Sequence, residues 1–79
     1  MSITVYTSPS CVQCEQTKKY LTAKDLAYDI VDLSENPEAM EMVQELGFKS
    51  APVVITSEGN WSGFRPDIIT RLAEARLAA

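Results

Sequence analysis

Apolar residues fall into short runs that alternate between strand-like and helix-like spacing. The run ITVYT at residues 3–7 is β-branched and aromatic and predicts a buried opening strand. Ser8, Pro9 and Ser10 break it, and a helix is expected over roughly residues 11–24, with Cys14, Thr17 and Leu21 along one face. AYDIVDL, residues 27–33, predicts a second strand. A helix between two such strands is a βαβ unit, so the strands should be parallel with a right-handed crossover. SENPEAMEMVQELGF predicts a second helix. Pro37 suits its first turn, Glu38 and Glu41 its positive end, and Gly47 the position past its end, with Ala39, Val43 and Leu46 as the inward stripe. VVIT at 53–56 predicts a third strand opened by Pro52. SEGN predicts a turn, followed by a short fourth strand near 60–63. The final segment predicts a helix from Pro66, with Ile68, Ile69, Leu72 and Ala75 as apolar positions. The order β-α-β-α-β-β-α implies an α/β fold: a four-stranded mixed sheet flanked by three helices on its two faces. The last two strands should form a hairpin antiparallel to the first.

Length bounds this picture. A chain of 79 residues is expected to form one domain over 1–79, close to the lower limit for a self-sustaining core. A Cys11–Cys14 disulfide closes a very short loop and contributes only about 2 kcal/mol in the chain-entropy model. Packing must therefore carry the fold, which leaves the cysteines free for chemistry. With 7 Lys+Arg against 11 Asp+Glu, the net charge of −4 argues against nucleic acid and anionic membrane surfaces as partners. The opening MSITVYT has no basic or apolar targeting pattern, and the apolar stretch APVVI is too short to cross a bilayer. The expected location is the cytoplasm, where thiols stay reduced unless they cycle.

Both cysteines lie in one C-x-x-C, just where the first helix is expected to begin. Ser10 followed by Gln13 fits an S-x-x-Q capping box, which predicts Ser10 as the helix cap and Cys11 as the first helical residue. The positive helix end and its unpaired N–H groups would then favour the Cys11 thiolate, with Cys14 one turn deeper. Such a pair suits thiol–disulfide exchange: Cys11 attacks a disulfide in a partner, and Cys14 releases the reduced partner from the mixed disulfide. A lone buried cysteine is more often just a small hydrophobe, but a C-x-x-C at a helix start after a strand is harder to dismiss. Half of a zinc site is another reading. With no His and no third Cys, it would need a dimer pooling four thiolates.

The C-x-x-C after a first strand resembles the thioredoxin superfamily, and the size and strand order look like a glutaredoxin. CVQC, SAPVV and WSGFRPD together resemble the NrdH redoxins over essentially the whole chain. That resemblance implies a dithiol–disulfide oxidoreductase that supplies electrons to the catalytic subunit of class Ib ribonucleotide reductase. It also implies reduction by thioredoxin reductase, so that NADPH is used only indirectly, and no bound cofactor beyond the redox-active Cys11–Cys14 disulfide. It casts Cys11 as nucleophile and Cys14 as resolving thiol. Pro52 becomes a cis-proline exposing the Ala51 backbone to a substrate strand. Val12, Gln13, Trp61, Ser62, Gly63 and Phe64 join the partner-binding surface, although Trp61 and Phe64 equally suit the core. Glutaredoxins tend to have Gly-Gly followed by an acidic residue that helps hold glutathione. Ser62-Gly63 is instead followed by Phe64, Arg65 and Pro66. A monomer is expected. The competing functions are a glutathione-dependent glutaredoxin and a thiolate-bridged metal or iron–sulfur dimer.

Overall fold

Alternating burial along the first strand sets the architecture. In β1 (Ile3–Thr7), Ile3, Val5 and Thr7 are buried and the residues between them half-buried, so both faces of the strand are covered. This computed structural model describes residues 2–78. After β1 come α1 (Val12–Ala23), β2 (Asp29–Asp32), α2 (Pro37–Glu45), β3 (Val53–Thr56), β4 (Gly59–Ser62) and α3 (Pro66–Ala78). The sheet order is β2-β1-β3-β4. β1 pairs parallel with β2, Val5 opposite Ile30, and antiparallel with β3, Tyr6 opposite Val53. β4 returns antiparallel to β3, with Trp61 opposite Val54. Of the two hairpin strands, therefore, only β3 runs opposite to β1.

The pleat sorts side chains onto two cores. Ile3, Val5, Val54 and Trp61 pack with Leu21 of α1 and Ile69, Leu72 and Ala73 of α3. On the opposite face, Leu33 and Val53 pack with Ala39 and Val43 of α2. Fully burying a side chain such as Leu21 or Ile69 contributes about 1.5–3 kcal/mol, which lets a chain of this size fold on packing.

Several expectations shift by a residue or a face. α1 begins at Val12, one residue later than predicted. β2 is shorter than residues 27–33 and lies at a sheet edge, which leaves Ile30 exposed. Leu46 does not join the inward stripe of α2. It is the residue at which that helix ends, and it is exposed. In α3 the buried alanine is Ala73, whereas Ala75 faces outward, because Ile69, Leu72 and Ala73 define the stripe that meets the sheet. No helix among the described residues is long and apolar enough to cross a membrane.

Candidate active site: a disulfide at the start of the first helix

β1 runs out at Thr7 and the chain turns sharply through Ser8, Pro9 and Ser10. Ser10 adopts φ 57°, in the left-handed region, so it cannot hold the extended conformation of a helix cap. The predicted capping role of Ser10 is thus corrected: Cys11, at φ −106° and ψ 104°, is the cap. Its Sγ accepts the backbone N–H of Cys14 at 3.1 Å, the bond a capping hydroxyl would ordinarily make. Shifting the helix start by one residue makes Gln13 the second helical residue, and no capping box forms.

Cys11 and Cys14 are joined by a disulfide, with their Cα atoms 5.2 Å apart. The two sulfurs are unequal. Cys11 is half-buried, whereas Cys14 is only 2% exposed. Below them Thr17 is buried, its hydroxyl donating to the Gln13 carbonyl at 2.8 Å. Beside Cys11, Val12 is 72% exposed, an apolar side chain left in water at the rim of a reactive bond.

The other two predicted segments converge here through the backbone. Ala51-Pro52 is a cis peptide bond, and Pro52 opens β3 level with the end of β1. The Gly63 N–H donates to the Pro52 carbonyl at 2.9 Å, tying the end of β4 to the proline loop. Gly63 has φ 81°, a conformation that suits the absence of a Cβ. A Cβ added there would lie 3.5 Å from Gln13 Oε1, so the Gln13 side chain reaches across to this bend. Cys11, Val12, Gln13, Cys14, Ala51, Pro52, Ser62 and Gly63 therefore form one neighbourhood. Trp61 and Phe64 belong chiefly to the core, Phe64 remaining half-buried. Trp61 is 7% exposed within the core, and Phe64 packs edge-on against Tyr20 at 5.8 Å between ring centres. The alternation of β4 turns Trp61 to the α1/α3 face while Ser62 points outward.

Sequence reasoning missed the far side of the site. A groove of about 570 Å³ runs beside Cys11 along Pro9, Ser10, Val12, Lys18 and Asp32. Lys18 is not a free cation in it, since Glu15 binds it at 3.1 Å. Their i, i+3 spacing was a visible signal for that pair. Past Gly63, Arg65 and Asp67 form a two-point ion pair at 3.0 and 3.2 Å. The hydrogen bond from Arg65 holds the Asp67 carboxyl below its usual range, and Asp67 in turn raises Arg65. Among the described residues, no group of three or more His, Cys, Asp or Glu side chains is placed to hold a metal ion.

An unequal cysteine pair at a helix cap, set on an open four-stranded mixed sheet, defines a thiol–disulfide oxidoreductase of the thioredoxin fold. Comparison with known proteins narrows the class. The glutaredoxin family model matches residues 3–59. The chain is 43% identical over 79 residues to the glutaredoxin-like protein NrdH of Escherichia coli K12, covering 100% of this chain and 98% of that one. It is 41% identical over 71 residues to the NrdH protein of Lactococcus lactis IL1403, covering 90% and 99% of the two chains. A solved structure of the Escherichia coli NrdH-redoxin, described as having a thioredoxin-like activity profile, superposes with a TM-score of 0.88 at 43% identity, over 91% of this chain and 95% of that one. The chain belongs to the glutaredoxin family and, within it, to the NrdH redoxins.

Proposed function

We propose that this protein is a cytoplasmic, monomeric, single-domain dithiol carrier. It donates electrons to class Ib ribonucleotide reductase and is itself re-reduced by thioredoxin reductase at the expense of NADPH. The observation that carries the reading is the inequality of the two sulfurs: Cys11 half-exposed at the helix cap, Cys14 almost wholly covered. In the reduced protein the Cys11 sulfur lies among the N–H groups of the first turn, which favour the thiolate. The thiolate attacks one sulfur of the target disulfide and forms a mixed disulfide, and the other target sulfur leaves as a thiolate. Cys14 then loses its proton and attacks Cys11 Sγ, which releases the second target thiolate and leaves the Cys11–Cys14 disulfide. Two electrons have passed to the target. The exposed Val12 and the Ala51 backbone offer an apolar contact and a strand-like pairing edge for the target segment.

The choice of reductant follows from Ser62 to Asp67. The one acidic side chain there is already bound by Arg65. A ligand deprived of a charge-assisted hydrogen bond loses about 1.5–3 kcal/mol, which disfavours glutathione. Thioredoxin reductase binds as a protein and does not need that group. The test follows NADPH absorbance with oxidised protein in two systems, thioredoxin reductase alone and glutathione with glutathione reductase. Ready turnover in the first and poor turnover in the second is expected. The reverse pattern would leave the glutathione-dependent glutaredoxin standing. Deoxyribonucleotide formation by a class Ib reductase, dependent on this protein, tests the electron acceptor.

A further inference from the structure

Trp61, the sole tryptophan, leaves a hydrogen bond unmade. It is 7% exposed, and its Nε1–H meets no acceptor among the described residues. Buried polar groups are nearly always paired, so an orphan donor marks a place where a partner from outside the chain can enter. The buried core around Trp61 is aliphatic, with Val54, Ile69 and Leu72 among its members, and offers no side-chain acceptor. Trp61 also lines a groove of about 300 Å³ between β4 and α3, and an acceptor can come from there. Ile68, Arg71, Leu72 and Ala75 form the helical wall of that groove, on the i, i+3, i+4, i+7 spacing of one helix face. Arg71 is exposed and has no ion-pair partner among the described residues. Glu58, at the hairpin between β3 and β4, is the one acid along the groove, and it does not pair with Arg71.

We propose that this groove is a binding site for a small carboxylic acid with an apolar body. Its carboxylate pairs with Arg71 and accepts from Trp61 Nε1–H, and its body lies against Ile68, Leu72 and Ala75. Each property of the ligand answers one feature of the groove. The orphan donor calls for an acceptor, and the unpaired guanidinium calls for negative charge. The apolar wall excludes a polyhydroxylated body, whose hydroxyls would be desolvated there without partners. The volume lies at the lower end of the range for small-molecule sites, so the ligand is of the size of a single aromatic or branched-chain acid. The groove shares no lining residue with the one beside Cys11. The inference therefore does not depend on the electron-transfer reading, and the oxidised and reduced proteins should bind alike.

The test follows the indole N–H resonance of Trp61 by NMR while phenylacetate, phenylacetamide or acetate is titrated into the oxidised protein. A single tryptophan makes that resonance unambiguous. Phenylacetate should move it in a saturable way. Phenylacetamide keeps the acceptor and the ring but loses the charge, and should bind about threefold to tenfold more weakly. Acetate, which has no apolar body, should leave the resonance where it is. In Arg71→Gln the preference for the acid over the amide should vanish, while the amide binds as in wild type. Arg71 is exposed, so this variant should keep the remaining spectrum unchanged. An indole resonance that phenylacetate does not move overturns the proposal. So does an equal response to acetate, which would mean loose attraction of anions. A preference for the acid that survives Arg71→Gln would also overturn it.

Discussion

Cys11 holds two positions at once: it caps α1, and it is the outward partner of the disulfide. The first makes the second useful, because the bond from the Cys14 N–H that orders the helix start also points a donor at the sulfur. Reduced Cys11 should therefore alkylate faster than Cys14 at neutral pH. Its rate should rise through a pKa below the free-thiol value of about 8.5. Mass mapping of iodoacetamide-labelled peptides across a pH series gives both numbers, and a Cys11 midpoint at or above the free value would remove the basis for its role as nucleophile. The same inequality predicts the outcome of single replacements. Cys11→Ser should abolish reduction of a disulfide substrate, whereas Cys14→Ser should accumulate a mixed disulfide visible by mass spectrometry. Accumulation in Cys11→Ser instead would reverse the two roles.

At the scale of elements, the ends of the helices separate what could be read in the sequence from what could not. α2 was legible because ordinary residues hold its ends. The Asn36 side chain accepts from the Ala39 N–H at 3.1 Å, Pro37 opens the first turn, and Gly47 at φ 94° closes the helix, with Phe48 N–H bonded back to Val43. α1 ends in the same way, Leu26 N–H bonded to Leu21, but Asp25 rather than glycine takes the left-handed position at φ 62°, so no glycine announced it. Its start was misplaced because S-x-x-Q imitates a capping box, while the true cap is a sulfur. β1, β2 and β3 were plain from β-branched runs, and β4 only from the turn signal before it. The exposure of Ile30 and the inward turn of Trp61 depend on strand order and on register across the sheet, which a single sequence does not display. Within the site the C-x-x-C was explicit, and the cis form of Pro52 came only from family resemblance. The cap at Asn36 and the absence of one at Ser10 can be tested together. Asn36→Ala should cost about 1 kcal/mol in urea denaturation, while Ser10→Ala should cost little, because Ser10 makes no capping bond. Equal losses in both would restore the capping box that the geometry rejects.

Across the whole molecule, a redox carrier must stay folded in both of its states, and the distribution of burial says that it does. The disulfide spans only three positions in sequence, so opening it frees little chain. The chain-entropy model puts its contribution at about 2 kcal/mol, against roughly 4–12 kcal/mol for a native chain of this length. The larger share lies elsewhere, in two cores on opposite faces of the sheet. Single residues there, such as Ile69, should each cost about 2–5 kcal/mol on truncation to alanine. Cys14 remains buried near Thr17 on the inner face of α1, where a thiol packs as a small hydrophobe. The reduced protein should therefore unfold in one cooperative transition, about 8–16 °C below the oxidised form, the shift that about 2 kcal/mol produces at this size. Near-UV circular dichroism melts, with and without excess phosphine reductant, measure both midpoints. Loss of the near-UV signal on reduction at room temperature would mean that the disulfide, and not the packing, holds the fold. Ile69→Ala in the oxidised protein supplies the converse arm. Its midpoint should fall by at least as much as reduction lowers that of wild type, because one buried isoleucine stabilises the fold at least as much as this short disulfide does.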